Sequence, residues 1–374
     1  MSLVVGAAIV REGRLLAARR TTPAEAAGRW ELPGGKVEPG ESAEAALVRE
    51  IAEELGCVVT VEQWLAGEQP IGSTHVLRAA RCGLADGEPR AGADHGELRW
   101  LTPEQVDQVD WLEPDRPFLA EITEVLLDGV ELPGGNVGGA VRIGDTVRRP
   151  TGPWTPAVHA LLGHVRAKGL RAVPRVPGYD ARGREVLDFL PGEIVDADRE
   201  LLDDTRLREL ATWARDLHDA VADFHHPGPW RFFEVQGADV IAHNDLAPYN
   251  VCFAGDELTG VFDWDLAGPS TRLFELAHLA WTAVPLYRPV PDALVASRLR
   301  LVAEAYGGPS ASEILHAVFP LKDIGVGGIT GWISAGEAAG LAQAAIEEPE
   351  RTLRAVADLR ARLPALDRAL RGTS

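Results

Sequence analysis

The stretch from Gly35 to Cys57, GKVEPGESAEAALVREIAEELGC, constrains this chain more than any other. Ser42 is a good cap, Ala45, Ala46, Val48, Ile51 and Leu55 supply apolar positions, and Gly56 stops the run, so Ser42 to Leu55 reads as a helix. Glu50, Glu53 and Glu54 then stand at i, i+3 and i+4, with three carboxylates on one face. Like charges at that spacing weaken a helix slightly, so helix formation does not account for them. A solvated acidic face is one account of the cluster; a hard divalent cation needing several oxygen ligands is the other. The second is favoured because Gly35, Glu41, Arg49, Ile51 and Gly56 fall into a fixed pattern with the three carboxylates.

That pattern resembles the Nudix box, departing from it at Cys57, where the family usually has an aliphatic residue. The resemblance implies an α/β/α sandwich with a mixed sheet. It also implies a site in which Glu50, Glu53 and Glu54 bind Mg2+ (or Mn2+) and water attacks a diphosphate, with Glu50 or Glu97 as base. Glu97 reads equally as a metal ligand or as a solvent-exposed strand glutamate. Arg19-Arg20, ten residues, then Glu31-Leu32-Pro33-Gly34-Gly35-Lys36, with the later Asp110-Trp111-Leu112-Glu113-Pro114-Asp115, resembles the MutT-type nucleotide pyrophosphohydrolases. In that branch the residue matching Arg20 meets phosphates, Gly34 and Gly35 lie at the substrate, and the residue matching Asp115 reads the base. An ionised Asp115 would accept from the amino group of cytosine or adenine, and a protonated one would suit an oxidised guanine; a plain helix N-terminal aspartate is the other account.

At 374 residues the chain is too long for one ordinary core, which predicts two domains. A hydrophobic fraction of 46% supplies material for both. The formal charge of −19 argues against a nucleic-acid polymer or an anionic membrane as partner, and leaves nucleotides and small molecules as substrates. Three dispersed cysteines without a CxxC pair, no long apolar run and no signal-peptide pattern predict a reduced, cytoplasmic setting. Oligomeric state is left open.

In chain order, 3–10 and Leu15 to Ala18 read as strands across a Glu12-Gly13 turn, 57–63 and 74–83 as further strands, Thr102-Pro103-Glu104 as a helix start, and Arg116 to Leu127 as a helix. The glycine-dense DGVELPGGNVGG places a domain junction near Gly129, giving 1–128 and 129–374. Beyond it come a strand pair over 140–148, a helix from about Pro156 to Ala167, a strand from Glu185, and a largely helical remainder from Asp198.

A second constellation lies in that remainder: His243-Asn244-Asp245 and Asn250, an apolar run, a turn, then Asp263. Aspartate, four residues and asparagine is the spacing of a kinase catalytic loop, with a further aspartate after the next strand. The segment resembles the aminoglycoside phosphotransferase and choline kinase branch of the kinase-like fold, over about 131–374. The resemblance implies a small β-rich N-lobe at about 131–192 and a large helical C-lobe at about 193–374. It makes Asp245 the catalytic base, Asn250 and Asp263 the magnesium ligands, and His243 the residue that shapes the loop, with ATP or GTP as donor. Kinases also pair a strand lysine with a helix glutamate. Here Arg148 or Arg149 stands in the lysine's place, and no glutamate occurs between Glu131 and Glu185. Gly134 to Gly139 reads as a phosphate-covering loop or as linker. The combined expectation is a bifunctional enzyme, or a Nudix hydrolase carrying a degenerate kinase-like binding or sensor domain.

Overall fold

The computed structural model describes residues 1–132, 139–196 and 199–372. They form two compact units, residues 1–132 with 140–148, and residue 139 with 149–372.

In the first unit, Ser2–Arg11 turns through Glu12 and Gly13, both at positive φ, and returns as Arg14–Arg20 with Arg11 opposite Arg14. Two left-handed residues in a two-residue turn match the twist of a hairpin. His75–Asp86 joins the other edge of Ser2–Arg11 in parallel, while the remaining pairings are antiparallel, so the eight-stranded sheet is mixed. Alternation along Ser2–Arg11 assigns its two faces. Val5, Ala7 and Ile9 pack with Ala46, Leu47, Ile51 and Leu55 of the helix Ala43–Leu55, whereas Ala8 belongs to a core shared with Phe118, Leu119, Ile122 and Leu126 on the opposite face. This is the expected sandwich of helices about a mixed sheet. The Ser42 side chain accepts from the Ala45 N–H at 3.1 Å, and Gly56 closes the helix in the left-handed conformation. Cys57 is buried in the core as a small apolar side chain. The expected helix from Arg116 opens as a single 3-10 turn, Arg116–Phe118, because Pro117 removes a donor, and is α-helical only over Leu119–Asp128.

The strands Val141–Ile143 and Thr146–Arg149 form the expected hairpin through Gly144 and Asp145. Gly144 donates to the Glu12 carbonyl at 2.8 Å, and Ile143 lies against Gly13. These strands, up to Arg148, therefore group with the first unit although they follow the glycine-rich stretch.

In the second unit the helix Thr155–Ala167 and the strand pair Gly178–Tyr179 with Glu185–Asp188 precede a helical body. That body contains Asp204–Ala220, Arg272–Ala283, Asp292–Tyr306, Ala311–Ser334, Ala338–Ala345 and Glu350–Arg371. Two small hairpins interrupt it, Val240–Ala242 with Gly268–Ser270 and Val251–Ala254 with Glu257–Val261. The loop with Asp245 and Asn250 is held between their first strands. A kinase-like fold is what this arrangement gives. Residues 134–138 of the glycine loop lie outside the described residues.

Two candidate active sites

The strand Gly34–Lys36 is held antiparallel on Ser2–Arg11, with Gly34 opposite Gly6 and Gly35 opposite Val5. A Cβ on Gly34 would strike the Val5 carbonyl, and one on Gly35 would strike the Glu50 carboxylate. Gly34 is therefore required by its close approach to a strand, while Gly35 gives room to the carboxylate end of an acidic side chain of the neighbouring helix. The Gly34 N–H donates to Glu54 Oε2 at 3.2 Å. Arg49 answers the like-charge problem. Its guanidinium bonds Glu41 at 3.0 Å and Glu50 at 3.1 Å, and reaches Glu53 at 3.3 Å.

Glu54 is the least compensated of the three. Burial, followed by the charges of Glu31 and Glu50 and opposed by His95, pushes it up to about 7. A buried carboxylate raised by like charges is one that a cation would relieve, so the donor set suits a hard divalent ion. Among the described residues, however, no three His, Cys, Asp or Glu side chains already converge at metal-ligand spacing. Glu97 sits on His95–Leu101, where Arg99 bonds it at 2.7 Å and Arg19 at 3.4 Å.

Two residues of this site escaped the sequence analysis. Glu31 is 8% exposed and accepts from Arg20 Nη1 at 2.9 and 3.0 Å, and His95 Nε2 lies 2.9 Å from its Oε1, an oxygen that Arg20 also meets. The only available signal was a charged residue in an otherwise apolar strand, Trp30-Glu31-Leu32. Arg20 thus stands beside Glu31 as its ion-pair partner. Asp115 is 4% exposed and does not cap the turn that follows it. Its carboxyl instead accepts from the Leu32 N–H at 3.3 Å, and burial pushes it up to about 8. At neutral pH Asp115 is therefore mostly protonated, offering one donor and one acceptor.

In the second unit His243 is fully buried and pushed down to about 4 by that burial. Kept neutral, it takes the Asp245 N–H on Nδ1 at 3.3 Å and donates from Nε2 to the Phe262 carbonyl at 3.0 Å, joining the loop to the segment that carries Asp263. Asn244, at positive φ, donates its amide to the Leu266 and Gly268 carbonyls, and its N–H goes to Glu275 at 2.8 Å. Glu275 is completely buried in this brace.

Asn250 Nδ2 donates to Asp245 Oδ2 at 2.8 Å, while Tyr249 Oη donates to Oδ1 at 3.0 Å. His278 Nε2 lies 3.0 Å from the same oxygen. Burial alone would raise Asp245, but His278 and Tyr249 hold it below its ordinary value, ready to take a proton. Asn250's amide nitrogen is directed at Asp245, so its oxygen points away from that carboxylate.

Of the two candidate arginines, Arg149 is the one at this site. Its Nη2 lies 2.9 Å from Asp263 and 3.1 Å from Asp265, and Nε is 3.9 Å from Glu185. Glu185 also meets His159 at 2.8 Å. Arg148 is 2% exposed within the first unit and bonds the half-exposed Glu104 at 2.8 Å and the Thr146 hydroxyl, so its placement as a nucleotide-binding residue is corrected to a structural ion pair. Adjacent strand residues point to opposite faces, which is why only one of the pair reaches Asp263. Glu185, the first glutamate after 132–184, thus reaches the vicinity of Arg149 from a strand rather than from a helix.

The NUDIX domain family model matches residues 2–124, and the model described as the phosphotransferase enzyme family matches 178–314. A Mycobacterium tuberculosis protein named "Putative 8-oxo-dGTP diphosphatase 2" is 46% identical over 127 residues, covering 33% of this chain and 89% of that protein. The CTP pyrophosphohydrolase of Escherichia coli is 39% identical over 117 residues, covering 31% and 87% respectively. The trifolitoxin immunity protein of Rhizobium leguminosarum bv. trifolii is 35% identical over 168 residues, 43% of this chain and 64% of that protein.

Proposed function

The chain belongs to the Nudix family through its first part and carries a phosphotransferase-family domain behind it, and from that premise we propose a bifunctional enzyme. The first unit hydrolyses a nucleoside triphosphate to monophosphate and pyrophosphate. The second transfers the γ-phosphoryl group of ATP or GTP to a small hydroxylated molecule. Magnesium, held by Glu50, Glu53 and Glu54 in one unit and by Asn250 and Asp263 in the other, would neutralise the phosphates and, in the first, acidify a water.

The observation that carries the hydrolase reading is the Glu50 carboxylate lodged against Gly35, beside Glu54 on the Gly34 N–H. Two acidic side chains of the helix thereby meet the backbone where the phosphates are expected. Arg20, fixed by Glu31, faces the phosphates, and Glu50 takes the proton of the attacking water. Protonated Asp115 reads the base. A neutral carboxyl can accept from the cytosine amino group while donating to the adjacent ring nitrogen, or accept from the N7–H of an oxidised guanine while donating to O6. The names of the Mycobacterium and Escherichia relatives favour these same two bases.

For transfer, Asp245 is oriented by Asn250 and Tyr249 to accept the proton of the attacking hydroxyl. Arg149 moves from Asp263 to the donor's phosphates, with Glu185 as its carboxylate partner. That pair argues for an active phosphotransferase over a domain that only binds.

The test is a panel of canonical and modified nucleoside triphosphates with magnesium, following pyrophosphate. A cytosine or oxidised guanine nucleotide should be cleaved at least tenfold faster than the others. Release of pyrophosphate from none of them would overturn the triphosphate assignment.

A further inference from the structure

A lysine of the second unit lies over a ring one helical turn beyond His278, the side chain that meets Asp245. Lys322, on the helix Ala311–Ser334, holds its ammonium 4.7 Å above the Trp281 ring, and Trp281 follows His278 by one turn on the helix Arg272–Ala283. Among the described residues no carboxylate lies within 4 Å of that ammonium. The carboxylates whose charges it feels are Asp245 and Glu348, and burial pushes it down to about 8, so it is still charged at neutral pH. Burial, and after it the Lys322 charge, pushes His278, whose ring faces Asp245, below its ordinary value. Lysine and Asp245 thus share one electrostatic neighbourhood without forming an ion pair.

The acidic groups nearby are committed elsewhere. Glu275 is buried and braces the loop through the Asn244 N–H. Asp265 is held by Arg231 at 3.0 Å and Arg149 at 3.1 Å. Glu348 accepts from the Thr352 N–H at 3.2 Å. A polycationic acceptor needs several uncommitted carboxylates around the base. Here the uncommitted charge is positive and is flanked by aromatic rings, Trp281 with Tyr287 at 6.1 Å.

Resting on the kinase reading above, we propose that the acceptor is an anionic alcohol whose carboxylate or phosphate is held by Lys322 while its hydroxyl faces Asp245. In the transfer the acceptor oxygen bonds to the γ-phosphorus of the nucleoside triphosphate, and the bond from that phosphorus to the β–γ bridging oxygen breaks. The hydroxyl proton passes to Asp245, and the nucleoside diphosphate leaves with the bridging oxygen.

The full chain with magnesium and ATP is offered three acceptor pools of matched size: hydroxy acids with sugar acids and sugar phosphates, neutral polyols and nucleosides, and amino alcohols with aminoglycosides. Phosphorylated products are identified by mass, and ATP binding is measured separately by calorimetry. Phosphorylation should come from the anionic pool. Lys322→Gln should raise the acceptor KM roughly 10- to 100-fold, the value of one charge-assisted contact, with the ATP KM unchanged, and Lys322→Arg should recover part of the loss. Preference for a neutral or cationic acceptor, no product from the anionic pool, or an unchanged KM in Lys322→Gln overturns the proposal while leaving the kinase reading intact if ATP binds. Failure of magnesium and ATP to bind removes both.

Discussion

The two sites manage a surplus of negative charge in opposite ways. In the first, the acidic residues come from one helix, and their counter-charge, Arg49, comes from the same helix. In the second, Asp245 and Asp263 are 18 residues apart, and their partners, the Arg149 guanidinium and the His278 ring, come from distant parts of the second unit. A site written into one helix is fixed as soon as that helix docks. A site assembled from separate segments depends on each being positioned, and its chemistry can be altered by a residue far away in sequence. The first arrangement should therefore be sensitive to local geometry, the second to remote substitutions.

Among substitutions that remove no catalytic group, the largest effect should come from Gly35→Ala, whose Cβ would press on the Glu50 carboxylate. Pyrophosphate release should fall about 100-fold, the cost of roughly 1 Å of misplacement at a reacting group, with far-UV circular dichroism unchanged. Retained activity would mean that the close approach of Gly35 and Glu50 is incidental. Next in size, Arg149→Ala should raise the ATP KM about tenfold, the scale of one charged contact. Arg148→Ala, one residue away, should leave that KM unaltered and instead destabilise the first unit by about 1–3 kcal/mol, since it strips Glu104 of a buried partner. Exchange of these two phenotypes would reverse the assignment of the pair.

The smallest effect is a pH dependence. The Asp115 carboxyl is raised when folded, so its contribution to stability is complete below about pH 4 and is lost as pH rises through about 8. Asp115→Asn removes that loss. Its melting temperature relative to wild type should climb by a few degrees between pH 5 and pH 9, and a constant offset would show that the buried carboxyl is already ionised.

Legibility in the sequence followed the same division. The box helix, its Ser42 cap and its Gly56 stop were readable because caps and the apolar stripe act within a few residues. The spacing from His243 to Asn250 was likewise local, and the resemblance named His243 as the residue that shapes the loop, whereas its neutral state and its bond to the Phe262 carbonyl emerged only from the fold. Glu31 with His95, Arg149 with Glu185, and Lys322 above Trp281 were not readable, because each is defined by a partner that only the fold supplies. Arg148 and Arg149 make the limit clear: two identical neighbours in sequence, separated by which side of one strand each occupies.

The central claim is that one chain carries two chemically independent sites. It is tested most directly by measuring pyrophosphate from a nucleoside triphosphate and phosphorylated acceptor from ATP for wild type, Glu53→Gln and Asp245→Ala in parallel. Glu53→Gln should lose pyrophosphate release by a factor of about 100 or more while phosphorylating the acceptor at the wild-type rate. Asp245→Ala should do the reverse, since a positioned base contributes about 10²–10⁴-fold. Loss of both activities in either variant would contradict independent sites, and loss of neither would contradict the assignment of Glu53 and Asp245 to the chemistry.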